Sequence, residues 1–278
     1  MSIRDACEMV SDTDAGCLRA LNEDAVRTVP DCGLLVVADG MGGHNAGDVA
    51  ARIAVESVEA QVRTVLAQWS PQGLALGERL REVLVETDGR IRREGEADRH
   101  RARMGATLAC VVLHDNRAWI GHVGDTRVYR LRGDRLELLT RDHSPAQQAL
   151  ASGMVDAAAL AGSHNRHLVT HALGAGGAEA IEVRETSAEP GDIFLVCSDG
   201  LNDLVDGIDI ELVLDTMRDN LPLAAEQLVM IARDCGGHDN ISVALVRIDA
   251  TFPARRGASA RHGDSLMTRL LHWFGVRG

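Results

Sequence analysis

The stretch Leu34-Leu35-Val36-Val37-Ala38-Asp39-Gly40-Met41-Gly42-Gly43-His44 constrains this chain more than any other. Its five consecutive apolar residues read as a strand buried on both faces, and the run stops abruptly at an aspartate. An ionised carboxylate at the end of a buried strand is costly unless something positive meets it. The glycines that follow remove side chains and let backbone approach a ligand closely. The device recurs. Ile193-Phe194-Leu195-Val196-Cys197-Ser198 runs into Asp199-Gly200, and Ile120-Gly121-His122-Val123-Gly124 runs into Asp125. In mirror image, Asp239-Asn240 stands just before Ile241-Ser242-Val243-Ala244-Leu245-Val246. A single Asp-Gly is an ordinary turn. Four carboxylates at the ends of four apolar strands, if those ends converge, predict an acidic pocket that suits hard metal cations.

The net charge of -12 argues against a nucleic-acid-binding surface. All 29 basic residues are Arg and none is Lys, which speaks against Walker-type phosphate loops, Schiff-base enzymes and the kinase ATP site. With aromatic residues at only 3% of the chain, the core must be built from Leu, Val, Ile and Ala. The six cysteines form no Cys-x-x-Cys pair, so a structural zinc site is not expected from them. Cys110 and Cys197 fall inside apolar runs and read as buried thiols. No signal-peptide pattern and no apolar run of membrane-spanning length is evident. The expectation is a soluble, cytoplasmic protein without a transmembrane segment.

Along the chain, residues 1–14 read as a first strand or a short lead-in. The polar stretch from Asp14 to Asp24 carries Arg19, a residue type suited to bidentate recognition of phosphate. By itself Arg19 reads better as a surface salt bridge. Asp24 could hold a metal-bound water. Helical spacing covers Asn45 to about Gln68, with Val49, Ile53, Val58, Val62 and Val65 inward. It also covers about Gln72 to Glu96, with Leu76, Leu80, Val83, Leu84 and Ile91 inward. Strands are expected at 106–114, 119–123, 128–131, 136–139, 181–187, 193–198 and 241–248, with helices at 208–217 and 222–234. Hairpin connections dominate, which predicts an α+β layered domain with antiparallel sheets inside and helices outside.

Residues 141–180 read as an irregular, partly helical insertion, a flap beside the site. Its histidines are His143, His164, His167 and His171. Only His167 and His171 have a compact two-ligand spacing, and the flap reading is preferred to zinc binding. Arg255-Arg256-Gly257-Ala258-Ser259-Ala260 is a linker by composition. After it, Leu266, Met267, Leu270, Leu271, Trp273 and Phe274 form a short amphipathic segment that could dock on the domain, a partner or a membrane surface. The organisation expected is thus one domain over 1–250 and a linker with amphipathic segment over 251–278.

Six ordered motifs resemble the PPM family, the metal-dependent type 2C serine/threonine protein phosphatases, in its bacterial form. They are Gly16-x-x-Arg19-x-x-Asn22-Glu23-Asp24, Asp39-Gly40-Met41-Gly42-Gly43-His44, and Gly121-x-x-Gly124-Asp125-Thr126-Arg127. Leu138-Leu139-Thr140-x-Asp142-His143-Ser144, Cys197-Ser198-Asp199-Gly200-Leu201 and Asp239-Asn240-Ile241-Ser242 complete the set. Each alone is weak, but six in the family's order are specific.

The resemblance implies a four-layer sandwich of two antiparallel β-sheets flanked by α-helices, with Mn2+ or Mg2+ in a cleft at one edge. Asp39 would bridge two metals, Asp199 and Asp239 would complete one site, and the Gly40 carbonyl would join the other. Asp125 with Asp199 would form a third, weaker site. Asp24 would act through water, and Asn240 is placed with it behind the ligands. Arg19 would bind the substrate phosphate, and His44 is the candidate to protonate the leaving serine. In eukaryotic members a His follows the Asp-Gly directly, where this chain has Met41. Many bacterial relatives have Thr-Arg-Ala-Leu-Gly where this chain reads Thr170-His171-Ala172-Leu173-Gly174. The implied function is hydrolysis of phosphoserine and phosphothreonine in proteins by a metal-activated water, reversing a serine/threonine kinase, in a monomer. The competing reading is a phosphoprotein-binding module without catalysis.

Overall fold

The structure, a computed structural model, describes residues 2–43, 46–68, 75–152 and 169–253. His44, His164, His167 and the amphipathic segment expected near the C-terminus lie outside the described residues, as does the middle of the expected flap. A one-turn helix α1 (Ile3–Ala6) leads into strands β1 (Cys7–Asp14), β2 (Asp24–Val29) and β3 (Leu34–Met41). Helices α2 (Ala46–Gln68) and α3 (Leu76–Ala97) follow, then β4 (Gly105–His114), β5 (Arg117–Val123), β6 (Arg127–Arg132) and β7 (Arg135–Leu138). After α4 (Pro145–Ala151) come β8 (Glu182–Ser187) and β9 (Ile193–Cys197). The short α5 (Asp199–Asn202), α6 (Gly207–Thr216), α7 (Leu221–Asp234) and β10 (Ile241–Ile248) complete the order.

The strands form two five-stranded sheets, ordered β1-β10-β9-β6-β7 and β2-β3-β4-β5-β8, and every strand pair in them is antiparallel. Strand β3 shows why an apolar run can be a strand here. Successive side chains point to opposite faces, and both faces are covered. Leu34, Val36 and Ala38 join the core beneath α2 and α3. Leu35 and Val37 join the core between the sheets, with Val111 of β4, Phe194 and Val196 of β9, and Ala244 and Val246 of β10. A third core seats α6 and α7 on the outer face of the first sheet through Leu195, Leu245, Leu214 and Leu228. The result is the α+β sandwich expected, four layers deep, with helices outside and sheets within.

Local chemistry sets the element ends. Asp115 and Asn116 both take positive φ, +50° and +57°, the backbone of the tight hairpin turn that matches strand twist. The Asp206 side chain accepts the amides of Ile208 and Asp209 at the start of α6, and Asn220 accepts that of Leu223 at the start of α7, so orphan donors of both first turns are met. Strand β2 was not expected. It is an edge strand paired only with β3, so an Arg at its centre, Arg27, is tolerated, and its apolar pattern is correspondingly faint.

Candidate active site

The candidate ligands gather at one end of the sandwich because the strands that carry them start or stop there in register. Asp24 at the start of β2 lies directly opposite Asp39 near the end of β3, and Thr107 of β4 lies opposite Asp39 on its other side. In the other sheet, Cys197 at the end of β9 pairs with both Val243 of β10 and Arg127 of β6. Asp199 follows that point, while Asp125 and Asp239 precede the two partner strands. Two edges of two sheets thus contribute aspartates to one place.

Polar bonds weld the two edges together. Ser198 Oγ donates to Asp24 Oδ2 over 2.7 Å and accepts the Ser242 amide over 3.0 Å. Thr13 and Ser242 share a hydroxyl bond of 2.7 Å, and Asn22 Nδ2 donates to Thr13 Oγ1. Asn240 ties the polar loop between β1 and β2 to the start of β10. Its Oδ1 accepts the Glu23 amide over 2.7 Å, and its Nδ2 donates to the carbonyls of Ala15 and Leu21. Gly40 is required by close approach, since a Cβ there would come within 2.6 Å of the Glu23 carbonyl and would also strike that of Gly47.

The electrostatics of these groups are those of a site suited to cations. Burial first, and then the charges of Asp24, Asp199, Asp125 and Asp239, push the Asp39 carboxyl well above the usual carboxylate range. Burial pushes Asp24 up to about 8, with Asp199 and Asp239 adding to the effect and the Ser198 and Ser242 bonds opposing it. Asp125, only 6% exposed, is pushed up to about 8 by burial, then by Asp199 and Asp142. Asp24 Oδ1 and Asp125 Oδ1 are buried with no hydrogen-bond partner. Acceptor-only oxygens, buried and mutually repelling, fit a hard divalent cation and nothing neutral. The donor set is all oxygen, which favours Mn2+ or Mg2+ over zinc.

Arg19 stands at the rim, its side chain 53% exposed, with Nη2 2.7 Å from Asp239 Oδ2. The structure therefore brings together Arg19, Asp24, Asp39, Gly40, Asp125, Asp199, Asp239 and Asn240. Several residues of this edge carried no assigned role in the sequence. Ser198 is fully buried and spends its hydroxyl on Asp24. Arg127 grips Asp142 through two bonds of 2.9 and 2.6 Å, fixing the loop after β7 to the strand that follows Asp125. Buried Thr107 and Thr126 share a 2.6 Å bond. The signal for Arg127 and Asp142 was their place in two of the six motifs; Thr107 offered none.

Comparison with known proteins agrees with this fold. The family described as protein phosphatase 2C matches residues 19–229. The serine/threonine phosphatase stp of Listeria monocytogenes is 31% identical over 246 residues, 87% of this chain and 96% of the relative. The Mycobacterium tuberculosis serine/threonine phosphatase PstP/Ppp superposes with a TM-score of 0.78 at 29% identity, covering 88% of this chain and 99% of that one. A structure of the PstP catalytic domain in complex with two manganese ions superposes with a TM-score of 0.76 at 28% identity, with the same coverage. The fold and site define a metal-dependent phosphatase. The chain belongs to the protein phosphatase 2C family and is, as an enzyme, a protein-serine/threonine phosphatase. Among the described residues no helix is long and apolar enough to cross a membrane.

Proposed function

We propose that the chain hydrolyses phosphoserine and phosphothreonine esters on proteins at the acidic edge of the sandwich, with Mn2+ or Mg2+ held by Asp39, Asp199, Asp239 and the Gly40 carbonyl. Asp125 would serve a third, weaker site with Asp199. The observation that carries this reading is the gathering of aspartates at one edge: Asp24 and Asp125 each bury an oxygen without a hydrogen-bond partner, and burial with neighbouring carboxylate charge pushes Asp24, Asp39 and Asp125 above the usual carboxylate range. Bound divalent cations supply a water acidic enough to attack at neutral pH and positive charge against the phosphoryl oxygens.

The chain's own residues do the rest. Arg19 is exposed, planar in its donor fork and held at the rim by Asp239, so it can meet two phosphoryl oxygens at once. Asp24 is anchored by Ser198 with its other oxygen turned inward and unmet, which suits it to accept from a water in the site. Asn240 holds the Arg19 loop against the ligand-bearing strand. Ser198, buried and doubly engaged, is a brace rather than a nucleophile. His44 is proposed as the proton donor to the leaving serine. The enzyme would act as a monomer in the cytoplasm, on substrates phosphorylated by a cognate serine/threonine kinase.

The test is hydrolysis of a phosphothreonine peptide with Mn2+, with Mg2+ and with EDTA, beside an Asp39→Asn variant. Turnover that needs the metal and falls by a factor on the order of 10³ or more in the variant is expected. No turnover by protein that binds Mn2+ would favour a phosphoprotein-binding module instead.

A further inference from the structure

Outside the acidic edge, three side chains from separate parts of the chain meet near the end of β5. His122 lies on β5, Glu182 is its register partner at the start of β8, and His143 sits in the loop after β7. Their potential donor atoms all lie within 4.8 Å of one another, and the His122 and His143 ring centres are 4.8 Å apart. His122 is 1% exposed, yet neither of its ring nitrogens has a hydrogen-bond partner. A buried polar atom left unmet is destabilising, and this ring carries two. His143 Nε2 lies 3.6 Å from Glu182 Oε1.

We propose that His122, His143 and Glu182 form a second metal site, of the zinc class, distinct from the all-oxygen centre. Two imidazoles and one carboxylate are donors that zinc, cobalt or nickel accept and that Mg2+ does not seek. Burial holds the His122 ring well below its usual pKa, at about 3, so it is neutral and its lone pair is available. Tetrahedral zinc with bonds of about 2.1 Å spaces its donors about 3.4 Å apart. The site closes on an ion by a small swing of Glu182, whose side chain is 59% exposed and free to move. Entry is open: a cavity of about 570 Å3 lined by His143, His171 and Glu182 and a smaller one of about 170 Å3 lined by His122 both reach Glu182.

Binding has a definite consequence for one hydrogen bond. Without an ion, His143 Nδ1 accepts the Gly124 amide over 3.1 Å, so the single proton of the neutral ring sits on Nε2, facing Glu182. Ligation through Nε2 moves that proton to Nδ1 and breaks the bond to Gly124. Gly124 precedes Asp125, and its carbonyl accepts the His143 amide over 2.7 Å. The second site therefore touches the backbone of the residue just before a candidate ligand of the first. His171, its ring centre 5.7 Å from that of His143, lies at the rim.

The experiment titrates Zn2+, and separately Co2+, into the full chain in excess Mg2+, which fills the all-oxygen centre. Calorimetry reads stoichiometry and affinity, the visible spectrum of Co2+ reads nitrogen ligation, and hydrogen exchange reads the Gly124 amide. One ion per chain is expected, with faster exchange at Gly124 on binding. Affinity should fall at least tenfold in both Glu182→Gln and His143→Asn, and remain unchanged in Asp39→Asn. Absence of binding in excess Mg2+, binding lost only in Asp39→Asn, or binding indifferent to Glu182→Gln would each overturn the proposal. Glu182→Gln changes an exposed side chain, so the test survives a folding defect in His143→Asn.

Discussion

Ser198 Oγ donates to Asp24 Oδ2 over 2.7 Å, and this bond joins the end of β9 in one sheet to the start of β2 in the other. The two residues are 174 positions apart in the chain, yet the hydroxyl also accepts the Ser242 amide. One side chain thus fixes the spacing of the two edges from which the aspartates project. Ser198→Ala leaves the buried Ser242 amide without this acceptor and removes the Ser198 bond to Asp24. In metal-saturated protein the expected loss is about 1.5–3 kcal/mol, the range for hydrogen bonds to charged groups, read by urea denaturation. A change below about 0.5 kcal/mol would show that the two edges are held by other means.

The acidic edge makes a signed prediction about pH. Asp24 and Asp125 have folded-state values of about 8, and Asp39 is raised in the same direction, whereas an aspartate in the unfolded chain titrates near about 3.9. Between those values the metal-free fold holds more protons than the unfolded chain. Its stability is therefore full below about pH 4 with respect to these groups and declines as pH rises toward about 8. Thermal unfolding in EDTA should show a midpoint that falls from pH 5 to pH 8. In Mn2+ the fall should vanish, because cation binding favours the ionised carboxylates and releases protons. Asp39→Asn should raise the EDTA midpoint at pH 8 while abolishing turnover. A midpoint in EDTA that climbs over this pH range would contradict the electrostatics described.

The acidic edge was legible in the sequence because a buried strand cannot end in an unmet charge without a reason. Asp39, Asp125, Asp199 and Asp239 each interrupt or adjoin a run of Val, Ile and Leu. The helical stripes were equally legible: Leu80, Val83, Leu84 and Ile91 are all buried as their spacing predicts. What the sequence concealed depends on pairing across the fold. Strand β2 has one strand neighbour and an Arg at its centre, so its periodicity is weak. Ser198 is one serine among several until the second sheet brings Asp24 to it. His122 sits within an apolar strand and looks like a core residue, and only the packing of the loop after β7 sets His143 against it.

Gly124 is a position where backbone conformation, not side-chain chemistry, carries the site. Its φ is +102°, and a Cβ there would drive into the Thr107 side chain, which is itself fully buried and bonded to Thr126. A non-glycine residue in such a region costs on the order of 1–3 kcal/mol before any clash. Gly124→Ala should therefore destabilise the fold by more than about 2 kcal/mol, read by chemical denaturation. Because Asp125 is the next residue, any protein that still folds should bind its weakest Mn2+ less tightly, measured by calorimetry. A variant as stable as the parent would mean that Thr107 yields and that the turn is not conformationally fixed.

Arg19 connects substrate and ligand in one contact. Its guanidinium lies 2.7 Å from Asp239 with half of the side chain open to solvent, so it is positioned by a proposed metal ligand and remains available to a phosphate. Charge-assisted hydrogen bonds of this kind contribute about 1.5–3 kcal/mol each, so Arg19→Ala should lower kcat/KM by roughly 10- to 100-fold on a phosphothreonine peptide. Arg19→Lys should recover only part of that, because an ammonium keeps the charge and loses the planar fork. Removing the guanidinium also frees an Asp239 oxygen for a cation, so Mn2+ should bind Arg19→Ala at least as tightly as the parent. Weaker Mn2+ binding in Arg19→Ala, with an unchanged KM, would mean that Arg19 holds Asp239 in place for the metal and does not touch the substrate. The split between metal affinity and kcat/KM, measured on one preparation, decides between the two roles.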